Sequence, residues 1–353
     1  MKPLKVGILG ATGTVGRKFA YLLQSHPWFE VRVLASSSRT AGKTFSQALA
    51  PLPVPAAFSD FILYDVKKDM RKIASEVDFV FCAIGGDPAE VAALEESYAK
   101  LEIPVVSNNS ALRAKDDVPM VIPELNPDHL SVIPYQRRRL GTKRGFCAVK
   151  SNCSLQSYLP LLFPLRKYGL QKVIVTTCQA ASGAGKRLED FPSLAQNLIP
   201  YIPLEEEKSE LEPLKILGSV LSGKICPAKE PIVSAHCTRV PVADGHTATV
   251  SVLFRSSPTE SEILKAWERF LPETNLLKLP SAPERFITYF EDPYHPQPKS
   301  DCNTENGMGI CAGRLRKDPV FDYKFIGLSH NTVRGAAGGG ILLAELLTVK
   351  GYI

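Results

Sequence analysis

The stretch LKVGILGATGTVGRKFAYLLQSH, residues 4–26, decides the fold of this 353-residue chain. Its apolar run at residues 6–9 predicts a buried strand, and apolar side chains within residues 19–23 recur at helical spacing. Glycines at the spacing GxxGxxG separate the two: Gly10, Gly13 and Gly16. Such glycines permit a tight turn and let backbone N–H groups at a helix N-terminus approach a pyrophosphate. The stretch therefore predicts the strand, turn and helix of a dinucleotide-binding domain, with a tight turn that binds no cofactor as the alternative.

The second strand, within FEVRVLASSSRTAGK (29–43), indicates which dinucleotide is bound. A site for NAD normally ends this strand with Asp or Glu, whose carboxylate hydrogen-bonds the ribose 2′-hydroxyl. Here the strand ends in Ala35 and Ser36, and hydroxyls and a guanidinium follow: Ser37, Ser38, Arg39 and Thr40. Because these groups suit a 2′-phosphate, the pattern favours NADP. A polar loop without this role is the alternative.

The pattern of strands and helices divides the chain into two domains. Strand and helix signals alternate up to residue 152, which predicts a Rossmann-type α/β domain with a doubly wound parallel sheet over residues 1–152. Longer strands at 171–180, 247–255, 308–316 and 321–329 then predict a second, α+β domain over residues 153–333. The glycine-rich SHNTVRGAAGGG (329–340) leads into an apolar helix, 334–353, that we expect to pack back on the nucleotide domain.

Cys153, in VKSNCSLQ (149–156), is the candidate nucleophile. We expect it where the chain leaves the first sheet and begins a helix at residues 154–169, because a helix N-terminus favours a thiolate and lowers the pKa of a thiol. The other seven cysteines form no CxxC pair and no cluster at zinc spacing, so we expect free core thiols and no metal. One more buried sulfur is the alternative for Cys153.

Polar groups at the ends of the later strands are the other candidates. HCTRVPVADGH (236–246) places Arg239 and His246 seven residues apart across a Pro/Gly turn. QAASGAGK (179–186) could bring backbone close to a ligand, and Asn331 is expected near the cofactor. A structural histidine and, for the charged helix predicted at 204–217, a solvated face are the alternatives.

Composition sets limits on the class of protein. A hydrophobic content of 44% and a charged content of 22% fit a globular protein, and no apolar run is long enough to span a membrane. The N-terminus lacks the apolar core of a signal peptide, so a cytoplasmic location is expected. Much of the net charge of +6 comes from QRRRLGTKRG (136–145), which we interpret as a solvated loop and not as a nucleic-acid site, because no aromatic residues interleave it.

In its motifs the chain resembles the aspartate-β-semialdehyde dehydrogenase family, closest to its archaeal and fungal branch. The resemblance runs nearly end to end, and the order and spacing of the motifs agree. The motifs are GILGATGTVG, SRTAGK, SNNSALRAKDDVPMVIPELNPDHL, SNCS, QAASGAG, NLIPYIPLEEEK, HCTRVPVADGH, PQPKSD and SHNTVRGAAGG. It implies reduction of L-aspartyl-4-phosphate by NADPH through a cysteine thioester, a step towards lysine or diaminopimelate, methionine and threonine. It also implies a homodimer or homotetramer formed through the sheet of the second domain.

The resemblance implies a role for each candidate residue. Cys153 would be the acyl-thioester nucleophile, His246 the acid/base and Gln179 the group that positions the substrate. The substrate's phosphate would contact Arg113 and Lys208, its α-carboxylate Arg239 and its α-amino group Glu205. Contacts with NADP would come from the glycine turn, the 2′-phosphate loop and three later residues: Gly10, Thr12, Gly13, Thr14, Val15, Ser37, Ser38, Arg39, Thr40, Ser182, Gly183 and Asn331.

The chain departs from the family pattern in three places, and three alternative functions remain. Leu155 replaces the usual Thr after NCS, Gly85 and Gly86 lie in an unusual third nucleotide loop, and Lys186 replaces a more common aromatic residue. Other thioester-forming reductases on the same scaffold are a malonyl-CoA reductase and an N-acetyl-γ-glutamyl-phosphate reductase. A non-catalytic NADP-binding homologue would be expected to lack Cys153 or His246, and both are present.

Overall fold

The N-terminal half of the chain forms a seven-stranded parallel sheet. The structure, a computed structural model, describes residues 2–353, so Met1, the first residue of the predicted nucleotide domain, lies outside it. The strands are β1 (Leu4–Leu9), β2 (Phe29–Ser36), β3 (Tyr64–Asp65), β4 (Phe79–Cys82), β5 (Val105–Ser107), β6 (Met120–Val121) and β7 (Cys147–Lys150). They lie in the order β3-β2-β1-β4-β5-β7-β6. The chain order reverses between β1 and β4, which is where open α/β sheets bind ligands.

Helices connect these strands: α1 (Thr14–Leu23), α2 (Phe45–Leu49), α3 (Met70–Glu76), α4 (Pro88–Lys100) and α5 (Ile133–Leu140). The glycines of the first turn are required by space. A side chain at Gly16 would place Cβ 2.1 Å from the carbonyl oxygen of Gly10, and Gly10 itself has a φ of +86°. The strand, turn and helix predicted from residues 4–26 are confirmed.

The second half forms a six-stranded mixed sheet in the order β11-β8-β12-β15-β14-β13. Its strands are β8 (Leu170–Gln179), β11 (Ile232–Arg239), β12 (His246–Phe254), β13 (Ile287–Phe290), β14 (Ile310–Lys317) and β15 (Tyr323–Ser329). A separate hairpin contains β9 (Ser219–Leu221) and β10 (Lys224–Cys226). The helices are α6 (Leu159–Leu162), α7 (Glu205–Ile216), α8 (Glu260–Glu268), α9 (Glu273–Leu276), α10 (Pro298–Asp301) and α11 (Gly338–Val349).

The helix predicted for residues 154–169 is wrong. Cys153 is followed by a 3-10 turn at Ser154–Ser157, then by the four-residue helix α6, and then by a second 3-10 segment at Phe163–Tyr168. Pro160 and Pro164 explain the interruption, because proline lacks the backbone N–H that would continue an α-helix. Cys153 therefore precedes a short 3-10 turn and has no long helix dipole behind it.

Two other segments also differ from the prediction. The basic run 136–145 is not all loop, because its first half lies in α5, which ends at Gly141 in the left-handed conformation that favours glycine. Arg139 of this helix forms ion pairs with Glu96 and Asp117. The C-terminal helix predicted for 334–353 is shorter in the structure, because a π-helical turn at Val333–Ala337 precedes α11. The helix α11 ends before Gly351, and Gly351 itself has a φ of +74°.

The C-terminal helix packs against the first sheet. Apolar residues of α11 between Ile341 and Leu347 belong to the same buried core as β1 side chains, and α11 also contacts α1, β5 and β7. The turn that carries Cys153 lies between the π-helical turn that precedes α11 and the second sheet. Both sheets therefore contribute to the site below, while the domain boundary predicted at residues 152 and 153 stays a prediction.

Candidate active site

A cavity of about 320 Å³ lies where the first turn of α1, the Cys153 turn and the start of α7 meet. Nine of the residues singled out from the sequence line it: Thr14, Val15, Arg113, Cys153, Ser182, Gly183, Glu205, Lys208 and Asn331. The elements that bring them together are distant in sequence. The cavity is therefore a product of the tertiary fold.

Cys153 and His246 form the central pair of the site. The sulfur of Cys153 lies 3.4 Å from Nε2 of His246, which is the first residue of β12. Nδ1 of the same ring accepts a hydrogen bond of 3.1 Å from the backbone N–H of Ala180. Because Nδ1 is an acceptor, the neutral ring carries its proton on Nε2 and directs it towards the sulfur.

Burial keeps both members of this pair neutral. It raises the pKa of the Cys153 thiol to about 11, with the charge of Glu205 adding to the effect and three cations opposing it. Burial also lowers the pKa of His246 to about 3, and the nearby Arg239 contributes. The lowered thiol pKa expected from a helix N-terminus is therefore wrong for this structure, in which the loss of solvation outweighs local dipoles.

Glu205 is the centre of a buried hydrogen-bond network beside the cysteine. Its carboxylate accepts two bonds of 2.9 Å from the Asn152 side chain, one of 3.1 Å from Nε2 of Gln179 and one of 3.0 Å from Lys208. Burial raises the pKa of this carboxyl, but the charge of Lys208 and the hydrogen bonds outweigh burial and leave the pKa lowered. Glu205 is thus an anion with both oxygens engaged.

The three cationic candidates differ in their partners. Arg113 donates to Glu212 at 2.8 Å and to the carbonyl oxygen of Asn108 at 3.0 Å, while Lys208 pairs with Glu205. Arg239 donates one hydrogen bond of 2.8 Å to the carbonyl oxygen of Ala180 and has no carboxylate within ion-pair distance among residues 2–353. A buried guanidinium of this kind suits a ligand carboxylate.

The loop after β8 brings backbone close to the pair. A side chain at Gly183 would place Cβ 2.6 Å from Nη1 of Arg239 and 2.9 Å from Cε1 of His246, so this position has room only for glycine. Asn331 joins this loop to the turn between β11 and β12. Its Nδ2 donates to Ser182 at 2.9 Å, and its Oδ1 accepts from the N–H of Gly245 at 2.8 Å.

A dinucleotide fits the surface between this cavity and a second one. The second cavity, about 300 Å³, is lined by Ser37 and Ser38 together with Asp65 and Lys67. At the edge of the first cavity, α1 begins without a side-chain cap and without an acidic residue in its first turn, so its N–H groups are open to an anion. The residues present therefore fit a dinucleotide, with Arg39 exposed beside Ser38 and Thr40 bonded to Ser36 at 2.8 Å.

Three further predicted residues lie close to the first cavity without lining it. These are Gln179, Arg239 and His246, which reach the site through the contacts given above. Gly10, Thr12 and Gly13 form the turn before α1 and lie outside both cavities. The structure thus groups the substrate and catalytic candidates in one place and the 2′-phosphate candidates, Ser37 to Thr40, in another.

Sequence reasoning missed three buried residues of the site. Asn152 holds Glu205, and Glu212 accepts from Arg113 and from the backbone N–H of Asn152 at 2.7 Å. Lys150 is 2% exposed and lies three residues before the cysteine. A solvated face is the alternative for the helix at 204–217, yet α7 buries Glu205, Glu212 and Lys215 and packs against β11 of the second sheet.

A doubly wound nucleotide domain and a second domain with a buried cysteine–histidine pair define a class: nucleotide-dependent dehydrogenases that use a cysteine. Comparison with known proteins agrees with this class. The profile "Semialdehyde dehydrogenase, NAD binding domain" matches residues 5–133, and "Semialdehyde dehydrogenase, dimerisation domain" matches residues 162–334. The chain belongs to the semialdehyde dehydrogenase family.

Individual relatives cover the whole chain. An aspartate-semialdehyde dehydrogenase of Archaeoglobus fulgidus is 42% identical over 97% of this chain and 97% of its own length. That of Schizosaccharomyces pombe is 41% identical, with 99% of both chains covered. Among solved structures, aspartate semialdehyde dehydrogenase with NADP from Candida albicans matches with a TM-score of 0.89 and 36% identity over 100% of both chains. No helix within residues 2–353 is long and apolar enough to cross a membrane.

Proposed function

We propose that the chain catalyses the NADPH-dependent reductive dephosphorylation of L-aspartyl-4-phosphate to L-aspartate-4-semialdehyde. The observation that carries this proposal is the 3.4 Å approach of Cys153 to His246 beside a cavity that is also lined by Glu205, Arg113 and Lys208. The names of the relatives, which are similar over their full length, give the substrate, and the match to a structure solved with NADP supports the cofactor.

Cys153 is proposed as the nucleophile. Its sulfur attacks the acyl carbon of the substrate, a C–S bond forms, and the C–O bond to phosphate breaks with the electron pair leaving on phosphate. The thiol proton passes to the departing phosphate in the same step, which leaves an acyl thioester on the enzyme. Bound NADPH would supply the hydride that reduces the thioester carbon, and Cys153 would then leave as the thiolate when the resulting thiohemiacetal collapses to the aldehyde.

His246 is proposed as the acid/base of these steps. The tautomer fixed by Ala180 directs Nε2–H towards the sulfur, so the ring can donate to the thiolate and to the oxygen of the thiohemiacetal. To accept a proton the ring would need to give up its hydrogen bond from Ala180, because an imidazolium carries hydrogen on both nitrogens. The ligand-free geometry therefore favours His246 as a proton donor over His246 as a proton acceptor.

The substrate's charged groups are assigned to the charged residues of the site. Arg239, which lacks a carboxylate partner, binds the α-carboxylate bidentately, and Glu205 accepts from the α-amino group. Arg113 and Lys208 stabilise the phosphate, and binding then competes with their present ion pairs to Glu212 and Glu205. Gln179 holds Glu205 and is proposed to position the substrate from there.

The decisive experiment is the phosphate-dependent reduction of NADP with L-aspartate-4-semialdehyde, followed by nicotinamide absorbance. The wild-type chain is expected to be active, Cys153→Ala inactive, and Cys226→Ala, at a half-buried cysteine of β10, as active as wild type. Malonyl-CoA and N-acetyl-γ-glutamyl semialdehyde are the competing substrates. Turnover of malonyl-CoA alone would retain the fold and the nucleophile but contradict the proposed substrate.

We also propose a homodimer formed through the open face of the second sheet. Ile174 is 43% exposed and Ile232 is 64% exposed, and both lie on one face with polar side chains such as Thr176 and His236. A mixed apolar and polar sheet face of this kind suits a second copy of the sheet. The match of residues 162–334 to a dimerisation domain supports this assignment.

A cytoplasmic location is also proposed, because the eight free cysteines suit a reducing compartment.

A further inference from the structure

We propose that a third cavity is a binding site for a free α-amino acid with an apolar side chain, and that its occupant acts on the active site through the turn between Arg239 and His246. The inference goes beyond the proposed reaction, because none of the residues assigned above to catalysis, substrate or NADP lines this cavity. We call it the turn cavity.

The turn cavity lies beside the turn that joins β11 to β12. Its volume is about 580 Å³, within the usual range of about 300–1,000 Å³ for small-molecule sites. Residues 241–244 of the turn, residues 297–303 around α10 and His330 after β15 line it. The second of these segments includes most of the motif PQPKSD (296–301), which has no role in the proposed reaction.

Two opposite charges line the turn cavity without a partner. Asp244 and Lys299 form no ion pair with each other or with any other residue in the range 2–353. A ligand that carries one ammonium group and one carboxylate would complement both charges at once, because each of its groups would meet the opposite charge. A free α-amino acid has this pair of groups.

The remaining surface of the turn cavity is mainly apolar. Its apolar residues come from both segments: Pro241, Val242, Ala243, Pro298 and Cys302. Such a surface suits an aliphatic or thioether side chain, because a third charge on the ligand would lose hydration without gaining a partner. The apolar surface therefore selects among amino acids, while the two charges recognise what all of them share.

His330 provides a further polar group for the ligand. The residue is only 5% exposed, and its Nδ1 accepts a hydrogen bond of 3.4 Å from the backbone N–H of Thr332. Its Nε2 has no partner among the residues that the structure describes. Because Nδ1 is the acceptor, the neutral ring carries its proton on Nε2, where it can donate to the carboxylate of a ligand. A buried N–H without a partner would otherwise be unfavourable.

The turn links the cavity to the active site. It begins after Arg239, the last residue of β11, and ends before His246, the first residue of β12. The N–H of Ala181, in the loop after β8, donates to the carbonyl oxygen of Val242 at 2.8 Å, and the next N–H of that loop donates to the next carbonyl of the turn at 3.2 Å. A ligand that binds Asp244 therefore constrains the turn and the loop together, which couples the two sites.

The test is isothermal titration calorimetry of the full chain with L-methionine and with L-leucine. The decarboxylated analogue of methionine keeps only the ammonium group, and the deaminated analogue keeps only the carboxylate. We expect saturable binding of the amino acids, and an affinity about tenfold or more lower for each analogue, because each lacks one charge-assisted hydrogen bond. Asp244→Asn and Lys299→Gln should lower the affinity for L-methionine to a similar extent. Failure of both amino acids to bind overturns the proposal.

Two further variants separate this site from others. Lys229→Gln, at an exposed lysine outside the turn cavity, is the matched control for Lys299→Gln and should bind L-methionine as wild type does. Arg239→Lys tests whether the amino acid binds in the active site instead. Binding that is lost in Arg239→Lys but kept in Lys299→Gln overturns the proposal. No substrate is used in calorimetry, so these results are independent of the proposed reaction.

Steady-state kinetics test the coupling between the sites. We expect L-methionine to change kcat/KM for L-aspartate-4-semialdehyde about fivefold or more in wild type, the lower end of typical coupling between sites. The same addition should have little effect on Lys299→Gln, whose activity without the amino acid should equal that of wild type. Binding of L-methionine with unchanged kinetics would overturn the action on the active site.

Discussion

Arg239 is a buried cation of the site without a carboxylate partner among residues 2–353. Its side chain is buried and makes one hydrogen bond to Ala180, which leaves most of its five donors free for a carboxylate. Lysine at this position would keep the charge but lose the planar, bidentate geometry.

We therefore expect Arg239→Lys to raise the KM for L-aspartate-4-semialdehyde about 10- to 100-fold, since a charge-assisted hydrogen bond contributes about 1.5–3 kcal/mol. Steady-state kinetics measure this change, and NADPH binding, followed by fluorescence titration, serves as the control and should stay as in wild type. An unchanged KM would remove Arg239 from the substrate site.

Single residues could be identified from the sequence where the local pattern itself carries the chemistry. Cys153 follows a predicted strand, and Arg239 and His246 flank a turn, so the sequence alone indicates all three residues. Lys150 lies three residues before the cysteine and Asn152 directly before it. Nothing in their spacing indicates that Lys150 is buried without a carboxylate partner or that Asn152 holds Glu205. Those properties depend on residues more than 50 positions away.

At the scale of elements, the loop after β8 shows how space controls the site. Gly183 does not have a positive φ, so alanine there causes no backbone strain, and its effect comes only from the close approach of Arg239 and His246. The added methyl group must displace the guanidinium, the imidazole or the loop.

We expect Gly183→Ala to lower kcat about 10- to 100-fold, because small displacements of reacting groups have effects of this size. Thermal unfolding should be nearly unchanged, since the loop is at the surface of the cavity and not in the core. A wild-type kcat in this variant would mean that the loop shifts to accommodate the methyl group and does not hold the catalytic pair.

Some elements of the second domain were not predictable from hydrophobic patterns. The predicted strands that correspond to β8, β12, β14 and β15 are confirmed, but no strand is predicted at β11. Its outward residues Ser234, His236 and Thr238 are polar, and only pairing with β8 makes the segment a strand. The segment after Cys153 shows the converse error, because its apolar pattern predicts a helix that the structure does not contain. Its two prolines prevent a continuous helix.

At the scale of the whole molecule, buried histidines predict sensitivity to acid. Burial is the main cause of lowered pKa values for His129, His246 and His330. A histidine with a lowered folded pKa binds fewer protons than the unfolded chain does below about pH 6.5. The free energy of unfolding therefore falls as pH drops through that value, by up to about 1.4 kcal/mol per pH unit for each such group.

Urea unfolding at pH 7 and pH 5 measures this effect, and we expect the midpoint to be lower at pH 5. His129→Gln is the matched variant, because an amide can replace the contact of His129 with the carbonyl oxygen of Gly218 at 3.2 Å but does not titrate. The variant should lose less stability between the two pH values. Equal midpoints at both pH values in wild type would contradict the prediction.

The proposed dimer makes a separate prediction for the assembled molecule. Ile174→Asp places a charge on the open sheet face, where burial against a second copy would cost several kcal/mol unless the charge is paired. We expect the variant to shift towards monomer in analytical ultracentrifugation. Lys317→Asp, at an exposed site on β14, is the charge control and should leave the wild-type mass unchanged. A wild-type mass for Ile174→Asp would place the interface on another surface.

The sequence by itself determined the strand, glycine turn and helix at residues 4–26, the two-domain pattern and the order of motifs that identifies the family. These depend on local periodicity and on glycines that only a tight turn requires. The tertiary structure alone decided the burial of Glu205 and Glu212, the tautomer of His246 and the unpaired charge of Lys150. Hydrogen bonds and desolvation at these groups come from segments far apart in the chain, so their chemistry is set only when both sheets and α11 meet.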